Sequence, residues 1–233
     1  MTRRPRIVAV IQARMNSSRL PGKILMSFAG APMLQRLVER VSGAKTLDGL
    51  VIATSDTQAD DPVEALCNQI GVSCHRGSEI DVLGRMLGAA QSHRADVLVR
   101  LTADNPFVDA SLVDFVVGCF LGADEQVDYV QNVDDCGFPF GLYVEVCTMD
   151  ALREANAQAS AEEREHVTLY VRQRPDAFAH IRVEAPGAFQ ETHLSVDTPE
   201  DHARLKPLFE RLHAENPAFG MAELVSAREM GPC

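Results

Sequence analysis

The chain has 233 residues, 46% of them hydrophobic and 24% charged, and a formal net charge of -11. That length supports one well-filled core. The acidic balance argues against non-specific binding to nucleic acid or to an acidic membrane, so neither is expected as a partner. No apolar run reaches bilayer-spanning length, and the basic lead-in "MTRRPR" precedes an apolar stretch too short for a signal peptide, so a cytoplasmic location is expected. Six cysteines without a C-x-x-C pair read as free thiols rather than a metal or redox motif.

In chain order, "RIVAVIQA" predicts a buried strand. "PMLQRLVERV" predicts a helix with Pro32 at its first position and Leu34, Leu37, Val38 and Val41 on one face. "GLVIATS" is a second strand, and Asp61-Pro62 opens a helix that Gly71 ends. "VSCHRG" is a short strand, and "DVLGRMLGAAQSHR" a helix capped by Asp81. "ADVLVRLTAD" is a third long strand and "SLVDFVVGCFL" a fourth helix. This alternation, with continuously apolar strands, predicts an α/β fold with a mainly parallel sheet covered on both faces. Such sheets bind ligands beyond the strand C-terminal ends.

After about residue 127 the pattern changes. "VDYVQN", "LYVEVCT", "AHIRVEA" and "HLSVD" predict strands, "MDALREANAQA" and "EEREHVTLYVRQR" helices. "TPEDHARLKPLFERLHAE" is a closing helix with Thr198 as N-cap and Pro199 at its first position. No linker divides the chain, so one domain is expected over 1–233, in two halves, 1–127 and 128–233.

Two loops just past strand ends carry the candidate chemistry. The first, "IQARMNSSRLPGK", bears Arg14, Arg19 and Lys23, within a stretch that has seven Arg or Lys and no acid before Glu39. It is not a P-loop: Ser17 stands where the first glycine belongs, and Ile24 replaces the metal-binding hydroxyl. A small-residue loop with three cations suits a triphosphate or pyrophosphate. On charge pattern alone it reads equally as three solvated surface cations. The second loop, "TADNPF", places Asp104 at a strand end. There a carboxylate can hold Mg²⁺ beside phosphates, or act as a turn or cap residue. Asp197, in "LSVDTPED", carries the same two readings. Both aspartates facing the cationic loop would make a metal–triphosphate site.

Taken together, "IQARMNSSRLPGK", "GSEIDVLGRM", "VRLTADNPFVD", "FPFGLYVEV", "EREHVT" and "LSVDTPED" resemble, in the same order, the cytidylyltransferases that activate acidic sugars. These include the 3-deoxy-manno-octulosonate and acylneuraminate enzymes. The closest likeness is to the branch of the spore coat polysaccharide biosynthesis protein F. The resemblance spans about residues 6–205. It implies a Rossmann-like nucleotidyltransferase fold, with 1–127 as the nucleotide-binding half and 128–233 supplying acceptor and dimer contacts, a homodimer, and an enzyme that uses CTP and Mg²⁺ to transfer CMP to an acidic sugar or phosphorylated acceptor for polysaccharide or glycan biosynthesis.

By position, the resemblance implies that Arg14, Arg19 and Lys23 hold the triphosphate, with Arg14, Lys23, Asp104 and Asp197 as the catalytic set and Asp104 and Asp197 as metal ligands. Ala13, Ser17 and Ser18 would contact the nucleotide, and Arg85 and Thr102 would read the base. Glu145, Arg164 and His166 are candidates for the acceptor pocket. Against those three stand an outward strand position, a solvated helix face and a packing histidine, respectively. Ala103, Asn105 and His193 depart from the family pattern, as does Thr102, where the sugar-acid enzymes usually have Gln. Two other classes remain: a metal-dependent glycosyltransferase of similar fold, against which the absence of Asp-x-Asp counts, and a catalytically silent nucleotide-binding subunit.

Overall fold

The structure is a computed structural model that describes residues 3–133, 136–187 and 193–229. Its first strand, β1 (Ile7–Gln12), is buried from Ile7 to Ile11. Ile7, Ala9 and Ile11 point to one side of the sheet, Val8 and Val10 to the other, and each set joins a separate apolar cluster. That two-sided burial is the period-2 geometry of a central strand covered on both faces.

A tight hairpin of β2 (Ser27–Phe28) and β3 (Ala31–Pro32) leads into α1 (Met33–Val41). Then come β4 (Gly49–Ser55), α2 (Asp61–Ile70), β5 (Ser73–Gly77), α3 (Val82–Ser92), β6 (Val97–Thr102) and α4 (Ala110–Leu121). Gly71 ends α2 in the left-handed region, and Asp81 caps α3 by accepting from Gly84 N–H, both as the sequence predicts. The second half supplies β7 (Tyr129–Gln131), β8 (Glu145–Thr148), α5 (Met149–Gln158), α6 (Ala161–Glu165), α7 (Leu169–Arg172), β9 (His180–Arg182), α8 (Pro199–Glu215) and α9 (Met221–Glu229).

Among the described residues the main sheet has seven strands in the order β5-β4-β1-β6-β8-β7-β9. β5, β4, β1 and β6 are mutually parallel, and β8 joins β6 antiparallel. The chain moves outward from β1 through β4 to β5, then returns to the opposite side of β1 as β6. The segments leaving β1 and β6 therefore diverge at a topological switch point, where open α/β sheets form their ligand crevice.

Three expectations are corrected. Pro32 is not the first helical residue; it pairs with Ser27 in the hairpin and immediately precedes α1. "EEREHVTLYVRQR" is not one helix, because Val167 takes φ 56 and breaks it into α6 and α7. A β-branched residue in that region is strained, and the helix cannot pass through it. "HLSVD" forms no sheet strand: His193 makes an isolated bridge to Phe140, and Leu194 and Val196 donate to Phe140 O and Asp104 O. Thr192, beside it, lies outside the described residues. α9 is an addition that the sequence pattern did not announce.

Arg40 ties α1 to the turn after β6 and to the segment before α9. It donates to the carbonyls of Phe107, Val108 and Phe219, and its guanidinium lies 3.7 Å from the Phe219 ring centroid. Among the described residues no helix is long and apolar enough to cross a membrane.

Candidate active site

The crevice at the switch point is lined by Gln12, Arg14, Ser17, Ser18, Arg19, Lys23, Ile24, Thr102, Ala103, Asp104 and Asp197. Three segments distant in sequence meet there. The loop after β1 brings the cations, the turn after β6 brings Asp104, and the extended segment before α8 brings Asp197.

The cationic loop is held by its backbone. Gly22, at φ 72, and Ser17 both donate to Met15 O. Met15 N–H donates to Asp60 Oδ1 at 2.7 Å, while Ser55 N–H donates to Asp60 Oδ2 at 2.9 Å. Asp60 is buried, and burial alone would raise its carboxyl pKa. The hydrogen bonds from Ser55 and Met15 outweigh that and hold it below the ordinary value. Ser18 and Arg19 N–H find no protein acceptor among the described residues, which leaves them for an anion.

Lys23 stands just inside, buried, at the start of a 3₁₀ turn, Lys23–Leu25. Its ammonium lies 2.9 Å from Asp104 Oδ2 and 3.0 Å from Asp197 Oδ1. Arg19 reaches the same Asp197 oxygen at 2.9 Å. Asp197 is fixed from its other side: Val196 N–H donates to Asp104 O, and Asp197 N–H to Asp201 Oδ2. Thr198 caps α8 in a reciprocal capping box with Asp201. Gly141 permits this packing. At φ 95, a Cβ there would fall 2.5 Å from Ser195 N.

The family described as cytidylyltransferase matches residues 8–218. The chain belongs to the cytidylyltransferase family. It is 36% identical to the spore coat polysaccharide biosynthesis protein SpsF of Bacillus subtilis, over 97% of this chain and 95% of that protein. It is 33% identical to a 3-deoxy-manno-octulosonate cytidylyltransferase of Trichlorobacter lovleyi, over 50% of this chain and 45% of that one. A solved cytidylyltransferase of Leptospira borgpetersenii superposes with a TM-score of 0.91 at 29% identity, covering 98% of this chain and 96% of that one. The fold is thus the nucleotidyltransferase fold, and the chemistry is transfer of a cytidylyl group from CTP.

In this cytidylyltransferase the other predicted residues are placed as follows. Ala13 is buried at the root of the loop, its N–H on Ala53 O. Arg14 is half-exposed at the rim, 4.0 Å from Glu165. His166 is exposed beside that contact, at the break between α6 and α7. Arg85 does not line the crevice. It is buried with one terminal nitrogen on Ser78 O and Glu79 O, while its Nε and other terminal nitrogen have no partner. Burial, then the nearby Arg14 charge, lowers its pKa.

Arg164 is committed elsewhere. It makes a two-pronged pair with Asp81, at 3.0 and 2.6 Å, and donates to Asn156 O at 2.7 Å, clamping α6 to the cap of α3. Glu145 likewise does not open on the crevice. It is buried and accepts from Arg100 at 2.5 Å, from Thr168 Oγ1 at 2.5 Å and from the Tyr129 hydroxyl. Burial alone would raise its pKa, but the Arg100 charge and the two hydroxyls bring it below the ordinary value. In this arrangement neither Glu145 nor Arg164 has an oxygen or fork free for an acceptor.

His193 stacks on the half-exposed Phe140, centroids 4.5 Å apart, with Nε2 3.8 Å from Asp197. Gln12 and Asp60 were not singled out by sequence reading. The signal for Gln12 was its position, the first polar residue after a wholly apolar strand.

Proposed function

We propose that this cytidylyltransferase transfers CMP from CTP to an acidic sugar or a phosphorylated small molecule, releasing pyrophosphate, in polysaccharide or glycan biosynthesis. The observation that carries the reading is the convergence of Lys23, Asp104 and Asp197 at the switch point, with Arg14 and Arg19 on the same crevice wall. Its likeness to SpsF over nearly all of both chains supports a place in polysaccharide biosynthesis, and its likeness to a 3-deoxy-manno-octulosonate cytidylyltransferase over half of this chain supports an acidic-sugar acceptor.

In this reaction an acceptor oxygen attacks the α-phosphorus of CTP. The bond to the bridging oxygen of the β-phosphate breaks, and its electron pair leaves with pyrophosphate. Arg14, Arg19 and Lys23 offset the charge that grows on the departing phosphates, and the free amides of Ser18 and Arg19 bind phosphate oxygens. No protein nucleophile is required. An acceptor hydroxyl gives up its proton to water as the new P–O bond forms.

The donor set fits Mg²⁺. Asp104 and Asp197 converge on Lys23 Nζ, and Arg19 also reaches Asp197. Magnesium is commonly held by one or two carboxylates while substrate phosphates and water complete its shell. We assign Asp104 and Asp197 as its ligands; bound there, the ion would neutralise phosphate charge and orient the triphosphate. A cytoplasmic homodimer is the assembly we propose, in keeping with the resemblance.

The test is pyrophosphate release from each nucleoside triphosphate with Mg²⁺ and a panel of sugar acids and phosphorylated acceptors. CTP with an acidic acceptor is expected to give release. Release with UTP or GTP and not CTP would refute the reading.

A further inference from the structure

The strand registers assemble a polar row on one face of the sheet at the crevice floor. Gln12 lies beside Thr102, and Val10 beside Arg100, in the β1–β6 register. Alternation puts Gln12, Arg100 and Thr102 on the same face. The β6–β8 register sets Glu145 next to Arg100. Gln12 and Thr102 line the crevice, and Arg100 and Glu145 lie behind them.

This row fixes which atoms face a ligand. Arg100 donates to the Gln12 side chain at 3.3 Å. A guanidinium has donors and no acceptor, so the Gln12 atom turned toward it is the carbonyl oxygen. The Gln12 NH₂ is then the end of the amide not spent on Arg100, on a residue that lines the crevice. Glu145 holds Arg100 in place from behind, itself saturated by Tyr129 and Thr168. On the neighbouring strand, Thr102 Oγ1 accepts from Asn105 Nδ2 at 2.8 Å. The Thr102 hydroxyl proton has no protein acceptor among the described residues.

We propose that Gln12 Nε2 and Thr102 Oγ1 form a neutral two-donor subsite that binds the carboxylate of the acceptor, with Arg100, Glu145 and Asn105 as positioning residues. The proposal rests on the cytidylyltransferase reading above and deepens it. Gln12 has spent its acceptor on Arg100, and Thr102 receives from Asn105, so the pair offers protons and asks for a group that only accepts. A carboxylate is such a group; a hydroxyl, which also needs to donate, is served less well. Thr102 ends β6 two residues before Asp104, and Gln12 is its register partner at the end of β1, whereas the loop cations are matched to phosphates. Neutral donors give direction there without adding a cation that would compete for Asp104.

The test compares Gln12→Met and Thr102→Val with the unaltered protein. The probes are CTP, 3-deoxy-manno-octulosonate and an acylneuraminate as free acids, the methyl esters of both, and a panel of phosphorylated acceptors. Each variant is expected to raise the KM for the acid about tenfold, the usual scale for a lost hydrogen bond to a charged group. CTP affinity by calorimetry stays unchanged, which gives Thr102 to the acceptor rather than to the base that the resemblance implies, and the preference for acid over ester shrinks. Gln12→Glu keeps the Arg100 contact and puts a like charge against the carboxylate, so it folds and raises the acid KM further.

An unchanged acid KM in both variants overturns the subsite while leaving CMP transfer standing. So does weakened CTP binding, which would assign the pair to the nucleotide, and so does turnover with phosphorylated acceptors alone. If the unaltered protein binds CTP but releases no pyrophosphate with any acceptor, the functional reading fails and the subsite fails with it.

Discussion

The ammonium of Lys23 lies between Asp104 and Asp197, 2.9 Å from one carboxylate and 3.0 Å from the other. One cation thus joins two acids 93 residues apart in the sequence, and removing it takes away the charge that bridges the two carboxylates. Lys23→Ala is expected to lower kcat/KM with CTP by about 100-fold or more, the scale of removing one charge-stabilising group from a transition state. Titration calorimetry should show weaker CTP binding in parallel. Unchanged CTP affinity would return Lys23 to a purely structural role.

Asp60 touches none of the crevice, yet both its oxygens are engaged, one by Met15 at the head of the cationic loop and one by Ser55 at the end of β4. Asp60→Ala leaves two amides without their partner. It is expected to cost about 1–3 kcal/mol in urea unfolding and to weaken CTP binding, because the loop loses its anchor. A variant that is destabilised but binds CTP normally would show that the loop is held by other contacts.

Buried Glu145 gives the protein an acid-sensitive element. Its folded pKa is held below the unfolded value, chiefly by the Arg100 charge working against burial. The stability it contributes is therefore fully present above the unfolded carboxylate range, near 4.5, and is lost as pH falls through the lower folded value. Glu145→Ala is expected to cost about 3–5 kcal/mol at neutral pH, since it strands the Arg100 charge inside the protein. Glu145→Gln should flatten the acid limb of a stability profile. Parallel acid limbs in the two proteins would remove Glu145 from the linkage.

Much of this was readable from sequence. Continuous apolar runs located β1, β4 and β6, and Asp81, Gly71 and Thr198 marked helix ends by local hydrogen bonding and backbone preference. The three cations and both aspartates, each open to a second reading from charge alone, were singled out by the ordered resemblance, and the fold brings all five to one crevice. The rest depended on partners far along the chain. "LYVEV" shows an alternating acid and gives no hint that Arg100, Tyr129 and Thr168 close around it. Arg164 sits in an acidic helical run, yet its fork belongs to Asp81. The break at Val167 has no glycine or proline to announce it; it exists because tertiary contacts bury Val167 and commit Thr168 to Glu145.

Gly141 is a backbone requirement of the site. A Cβ at that position meets Ser195 N at 2.5 Å, and φ 95 is unfavourable for any side chain. Gly141→Ala is expected to destabilise by about 1–3 kcal/mol and to shift the segment carrying Asp197. Turnover should fall more than stability alone explains; full activity in a folded variant would show that the turn moves without disturbing Asp197.

The account is tested most directly by CTP-dependent pyrophosphate release with Mg²⁺ and an acidic acceptor, measured for the unaltered protein, Asp104→Asn and Asp197→Asn. The prediction is release by the unaltered protein and loss of turnover in both variants, with native circular dichroism retained. Turnover that persists near its normal rate in either variant would contradict the assignment of Asp104 and Asp197 as ligands of the metal that orients the triphosphate.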